Sequence, residues 1–305
     1  PVVLGICAAA KIPASRQLMP LAYAAGIGGV ITMVGTPPNI IVSGVLTSFG
    51  YESFSFFEFA WIGIPLTFVV IAYMMFIGKY LLPKAELDAD QEIEQEIEAT
   101  VTDSKKQIVS GLILAVCIIV MALDLKAISL EMTAIVGALV CVLTGCLTEK
   151  QAYSAIDWVT IFLFAGMMPV SAAMDKTGAG KLIAEWAVSL MGGSPTPIIM
   201  TSVLFIISCT LTQFMSNTAA CALLAPVGVA ISQQLGASPK AVLMAIGVAA
   251  SCAFATPVGT PPCTLVLGPG GYKFMDYVKV GVPLVVLCFI VSIIVIPMVW
   301  PFFPG

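Results

Sequence analysis

Val34-Gly35-Thr36-Pro37-Pro38-Asn39, near the start of the chain, returns near its end as Val258-Gly259-Thr260-Pro261-Pro262-Cys263, each copy inside a long uncharged apolar stretch. In lipid, backbone groups freed by a Gly-Thr-Pro-Pro break have no water to bond, so such breaks persist where the chain lines a cavity enclosed by protein. A helix broken at matching places in two halves marks the binding region of a secondary transporter.

The copies match beyond the break. Pro1 lies 35 residues before Thr36 and Pro226 lies 34 before Thr260, and each interval carries a polar turn with Ala-Ser, Ala14-Ser15 in one and Ala237-Ser238 in the other. After the break, Ile40 to Gly44 parallels Thr264 to Gly268, so the repeat covers about 1–80 and 226–300. Ser216-Asn217-Thr218 precedes Pro226, whereas nothing precedes Pro1 and the chain does not open on Met. The expectation is a chain cut just downstream of a first Ser-Asn-Thr-like turn, with half of one site lying before Pro1.

Of the 305 residues, 59% are hydrophobic and 10% charged. Soluble domains sit nearer half and a quarter, so composition selects an all-α integral membrane protein. Uncharged runs long enough for a hydrocarbon core recur along the chain, and the ten-residue alternation of a β-barrel is missing. The nine cysteines stand singly in apolar segments, without CxxC spacing and without any histidine, which reads as buried small apolar side chains rather than a metal site.

Outward from the breaks, the first broken crossing runs from Leu18 to Thr47 and the next from Phe56 to Gly78. Residues 1–80 form the later part of a first repeat, 81–107 an acidic linker, and 108–305 a second repeat. Within the second repeat, crossings are expected at 108–124, 130–147 and 156–174. An interfacial amphipathic stretch follows from Lys176 to Leu190, then a re-entrant hairpin over 196–234 with Ser-Asn-Thr at its tip, the broken helix 240–268, and a last span from Val278 to Trp300. Counting crossings makes the repeats inverted. The same map puts Lys11, Arg16, Lys79, Lys84, Lys105, Lys106, Lys150, Lys273 and Lys279 on one side and Lys126, Lys176, Lys181 and Lys240 on the other, so the linker side is expected to be cytoplasmic.

Between Leu18 and Tyr51, and between Thr196 and Pro239, no side chain is charged. Proton-coupled carriers ordinarily place a carboxylate or histidine inside the membrane, and here Asp124, Asp157 and Asp175 fall near span ends. The breaks offer neutral oxygens instead: freed carbonyls, the hydroxyls of Thr36, Thr260, Ser216 and Thr218, and the Asn217 amide, all suited to a hard cation such as Na⁺. The half-helices after each break are expected to turn unpaired N–H groups and a positive dipole end toward an anion. An anion carried together with Na⁺ follows.

Gln213-Phe214-Met215-Ser216-Asn217-Thr218-Ala219-Ala220, the two Gly-Thr-Pro-Pro loops and Gly268-Pro269-Gly270-Gly271-Tyr272-Lys273 resemble the divalent anion:Na⁺ symporter family, the dicarboxylate, citrate and sulfate carriers of the ion transporter superfamily. The resemblance implies sodium ligands at Thr212, Ser216, Asn217 and the Gly259 carbonyl, with Gly35 at a second sodium. It implies substrate contacts from Thr36, Asn217, Thr218, Thr260 and Pro261. It also implies a multi-pass protein of the cell membrane, a homodimer, a small anionic substrate, and neither cofactor nor nucleic acid. The loop departs from the family pattern at Cys263, where asparagine is commoner, which removes an amide that could brace it. Rival expectations are an arsenite-type or Na⁺/H⁺-exchanging permease of the same superfamily, and, further off, a channel or an intramembrane enzyme.

Overall fold

The computed structural model describes residues 2–83, 104–123, 128–156, 158–190 and 196–303. Residues 84–103 of the acidic linker, Asp124 and Asp157 lie outside them. Among the described residues all regular structure is helical.

The chain opens with α1 (Val2–Ala10) and a 3₁₀ turn at Ala14–Arg16. The first broken helix is α2 (Leu18–Gly28), tightened through a 3₁₀ turn at Gly29–Ile31, and α3 (Pro37–Ser48). A continuous helix α4 (Ala60–Leu81) follows. It starts four residues later than the apolar pattern suggests, because Phe54 and Phe59 stack with ring centroids 4.8 Å apart and Glu58 accepts a bond from the Ser55 N–H, holding the lead-in as a turn.

After the linker come α5 (Ser104–Ala122), α6 (Leu130–Leu143), the short α7 (Glu149–Ser154), α8 (Trp158–Thr177) and the amphipathic α9 (Ala179–Leu190). Helix α6 stops short of residue 147 at Thr144 and Gly145, the latter with φ of 70°, a left-handed conformation that ends a helix. The chain closes with α10 (Pro197–Thr212), α11 (Asn217–Leu235), α12 (Pro239–Ser251), α13 (Pro261–Leu267) and α14 (Phe274–Val299).

Among the described residues four helices are long and apolar enough to cross a membrane: Ala60–Leu81, Lys105–Ala122, Asn217–Leu235 and Phe274–Val299. Their outer faces carry large apolar groups such as Trp61, Phe68 and Phe76, each about two thirds exposed, a surface suited to lipid rather than water. This is a multi-pass membrane protein.

Side-chain bonds fix the direction of each element. At one end of the molecule, the Tyr272 hydroxyl donates to the Ser15 carbonyl at 2.7 Å and the Ser15 hydroxyl donates to the Pro83 carbonyl at 3.1 Å. The start of α2, the end of α4 and the start of α14 therefore meet there. At the other end, Lys240 pairs with Glu58 at 3.1 Å, the Trp300 ring N–H donates to Glu58 at 2.8 Å, and the Ser238 N–H donates to the Phe302 carbonyl at 2.6 Å. The start of α12, the start of α4 and the end of α14 meet here. The two broken helices consequently run antiparallel, α2 leaving one end and α12 leaving the other.

The hairpin direction follows from two bonds of equal offset. Ser208 donates to the Ile246 carbonyl and Thr212 to the Ala250 carbonyl, both at 2.9 Å, so α10 runs parallel to α12 and α11 returns antiparallel to both. The outer ends of α10 and α11 lie on the side where α12 begins. The tip, residues 213–216, meets α12 where that helix is interrupted. The 13 residues of α12 and the 7 of α13 give a summed rise of about 30 Å, the thickness of a hydrocarbon core, so the two halves together have the length of one crossing with the interruption inside it.

Carbonyls released at the second interruption are met by donors from distant parts of the chain. The Tyr23 hydroxyl of α2 donates to the Phe254 carbonyl at 2.8 Å, with the two rings 5.1 Å apart. Tyr277 of α14 donates to the Cys263 carbonyl at 2.7 Å. Tyr23→Phe is expected to leave a buried carbonyl unpaired and lower stability by about 1–3 kcal/mol. Thermal unfolding in detergent would read this as a lowered midpoint, whereas Tyr51→Phe, which removes only a 3.4 Å bond to Gln233 at the surface, should leave it nearly unchanged.

Candidate functional site

The hairpin tip is built by its capping chemistry. Ser216 has an extended backbone and its hydroxyl accepts the Ala219 N–H at 3.2 Å, so α11 begins at Asn217 with a capped first turn. Asn217 and Thr218, at the first two helical positions, carry N–H groups without an intrahelical partner. Asn217 is buried, and its side-chain oxygen has no hydrogen-bond partner. A buried amide oxygen left unpaired costs free energy unless something outside the fold meets it.

Both breaks border this tip. The main chain of the second approaches so closely that a Cβ on Gly259 would lie 2.7 Å from the Thr212 carbonyl oxygen and 2.6 Å from the Ala253 side chain, which only glycine allows. Gly35 holds the matching place in the first break, where a Cβ would land on the Gly29 carbonyl. The first break reaches the hairpin through Cys221, one turn beyond Asn217, whose thiol donates to the Pro38 carbonyl at 3.6 Å. The structure thus gathers Thr212, Ser216, Asn217, Thr218 and Gly259 around one tip, with Gly35 and Thr36 just ahead of Pro38 and Thr260 and Pro261 just after Gly259. Thr36 and Thr260 are buried, at 7% and 3% exposure, and neither hydroxyl caps its own helix.

One expectation needs correction. The half-helices after the breaks do not offer rows of free N–H groups. Helices α3 and α13 start on two prolines each, which have no N–H, and the third positions, Asn39 and Cys263, already donate to the carbonyls of Thr36 and Thr260 at 3.1 Å. What remains there is the dipole end and the threonine hydroxyl. The N–H groups suited to an anion belong to α11.

The two breaks are braced differently. In the first, the Asn39 side-chain N–H donates to the carbonyls of Thr32 at 3.0 Å and Val30 at 3.4 Å, and its amide oxygen is buried without a partner, like that of Asn217. In the second, Cys263 has no amide to offer. Thr264, one residue on, donates instead to the Pro257 carbonyl at 2.7 Å. Gln213 at the hairpin tip supplies the rest: its side-chain N–H donates to the carbonyls of Cys209 at 3.0 Å and Cys252 at 3.3 Å, and its amide oxygen accepts the Ala255 N–H at 3.0 Å. Gln213 stood in the sequence beside Ser-Asn-Thr without a role. Its amide in a run empty of charge was the available signal.

The model of the citrate transporter family CitMHS matches residues 1–126 and 115–303. The chain belongs to this family. Among similar proteins, an uncharacterized transporter of Haemophilus influenzae is 34% identical over 90% of this chain and 60% of its own length. The Escherichia coli uncharacterized transporter YfbS is 41% identical over 55% of this chain and 28% of its own length. The sodium-dependent dicarboxylate transporter SdcS of Staphylococcus aureus is 26% identical over 94% of this chain and 59% of its own length. The chain spans less than two thirds of each of these relatives. The family and its relatives bear the names of transporters and of no enzyme, in keeping with the paired breaks.

Asn39→Ala should release the Thr32 and Val30 carbonyls and lower the unfolding midpoint of the detergent-purified protein, at a cost of about 1–3 kcal/mol. An unchanged midpoint would show that the first break needs no internal brace.

Proposed function

We propose that the protein is a secondary active transporter that carries a divalent anion, of the dicarboxylate, citrate or sulfate class, together with Na⁺. The observation that supports this best is the unpartnered buried oxygen of Asn217 at a tip where neutral oxygens from the hairpin and the second break converge. Na⁺ suits such oxygens, and its charge would offset that of an anion at a site whose nearby side chains are uncharged. Thr212, Ser216, Asn217 and the Gly259 carbonyl hold one sodium in this proposal, and Gly35 contributes to another. Asn217 and Thr218 present N–H groups to the substrate, with Thr36, Thr260 and Pro261 beside it. The sodium and dicarboxylate specificity named for SdcS agrees with this chemistry.

The antiparallel broken helices favour an inverted-repeat architecture, with 1–80 and 108–305 as its two parts and the hairpin re-entrant. Alternating access then amounts to moving the tip and breaks relative to the remaining helices. Lys11, Arg16, Lys79 and Lys273 lie near the end where Ser15, Pro83 and Tyr272 meet, which makes that end the cytoplasmic one in a cell membrane. A homodimer completes the proposal.

Uptake of labelled succinate and sulfate into proteoliposomes by the full-length protein tests it. Accumulation should require an inward sodium gradient, and Asn217→Ala should cut it by about tenfold or more, the equivalent of one charge-assisted contact, at unchanged membrane expression. Sodium-independent uptake, or proton antiport alone, would sink the symport proposal; normal uptake by Asn217→Ala would remove that residue from the site.

A further inference from the structure

The second break is held in part from outside itself. Gln213 ends α10, and every polar group of its side chain is engaged: the amide N–H group with the carbonyls of Cys209 and Cys252, the amide oxygen with the Ala255 N–H. Its own main-chain carbonyl accepts the Thr256 hydroxyl at 2.8 Å. One residue earlier, the Thr212 hydroxyl donates to the Ala250 carbonyl, and the Thr212 carbonyl faces Gly259. These bonds run from the last turn of the hairpin's first arm to the interruption over 250–259. The first break has its amide brace within its own segment, at Asn39, where the second has Cys263.

We propose that Gln213 is a positioning residue that makes the cation site at the second break, the one with the Gly259 carbonyl, conditional on the hairpin tip being docked. The physical reason is the absence of water at this depth. If the tip withdraws, the Ala255 N–H loses its partner, the Cys252 carbonyl keeps only the Phe254 N–H at 3.1 Å, and no internal amide replaces Gln213. The loop that presents the Gly259 carbonyl then loses its shape, and the Thr212 carbonyl moves away with the tip. Cation binding at this site and docking of the tip are therefore one event. The first break keeps its shape through Asn39 whether or not a tip lies against it. The cation in this inference rests on the sodium site proposed above, whereas the brace itself rests on the bonds of Gln213.

A second-site substitution tests it. The full-length protein is purified as wild type, Gln213→Ala, Cys263→Asn and the double variant. Stabilisation against heat is followed as Na⁺ replaces choline, and hydrogen exchange is followed over residues 252–259. Gln213→Ala should raise the sodium concentration for half-maximal stabilisation, and speed exchange at Ala255, by about tenfold each, the equivalent of one hydrogen bond. Cys263→Asn, whose amide at the place of Asn39 matches Phe254 and Thr256, the counterparts of Val30 and Thr32, should recover part of the sodium dependence in the Gln213→Ala background while exchange at Ala255 stays fast. A residue that merely supported folding would lower the unfolding midpoint in choline without moving the sodium dependence, and Cys263→Asn would not restore it. Unchanged sodium dependence and exchange in Gln213→Ala, or no recovery of the sodium dependence in the double variant, would overturn the inference. If wild type gains no stability from Na⁺, the sodium proposal fails instead, and exchange at Ala255 still decides whether Gln213 braces the break. Where the alanine variant does not fold, Gln213→Met keeps the length and volume but neither donates to the two carbonyls nor accepts the Ala255 N–H, and it should show the same changes.

Discussion

Backbone carbonyls and N–H groups released inside a membrane must find partners within the protein, and this chain releases them twice. At the second interruption the partners are Tyr23 from the opposite broken helix and Gln213 from the hairpin, while Tyr277 from the last span meets the Cys263 carbonyl in the helix that follows. At the first, Asn39 meets two carbonyls locally, and the Phe56 carbonyl ahead of α4 accepts the Met33 N–H at 2.9 Å. A broken helix with this demand can be accommodated only where these donors meet, so the antiparallel crossing of the two broken helices and the docking of the hairpin both follow from it. The same requirement explains the buried tyrosines, whose rings fill apolar space while their hydroxyls satisfy carbonyls.

The ends of the molecule are tied by a second, more polar set of contacts. Lys240 and Glu58 are partly buried, and Glu58 also accepts from Trp300, so three segments distant in sequence are held in one orientation. A lone pair at a surface contributes little stability, and here its effect is to fix which elements share an end. At the opposite end Tyr272 takes that part, accepting the Met19 N–H at 2.8 Å while donating to Ser15. Together the two clusters place α4 and α14 as full crossings that flank the broken pair.

The repeat is close in backbone and unequal in chemistry. Gly35 is crowded by Gly29 main chain of its own break and Gly259 by the Ala253 side chain and the Thr212 carbonyl, and the amide of Asn39 has no counterpart at Cys263. The loss is offset by Thr264 from within the segment and by Gln213 from outside it. The first break therefore has an amide brace of its own, and the second has one from the hairpin.

The sequence alone determined the membrane class, the positions of both breaks, the hairpin with its Ser-Asn-Thr tip and the residues that gather there. These features are written in composition, in charge-free length and in proline and glycine placement, all of which act locally on the backbone. It also showed that Cys263 withdraws an amide. It did not show where the replacement comes from, nor that the double prolines leave α3 and α13 without the N–H groups an anion would use. Helix ends such as Ala60 and Leu143 shifted as well, because an aromatic pair and a left-handed glycine outweighed the apolar pattern. Only the tertiary structure decided which distant side chain meets each freed carbonyl, because a hydrogen bond between residues such as Tyr23 and Phe254 depends on their approach in space, and no local pattern encodes that approach.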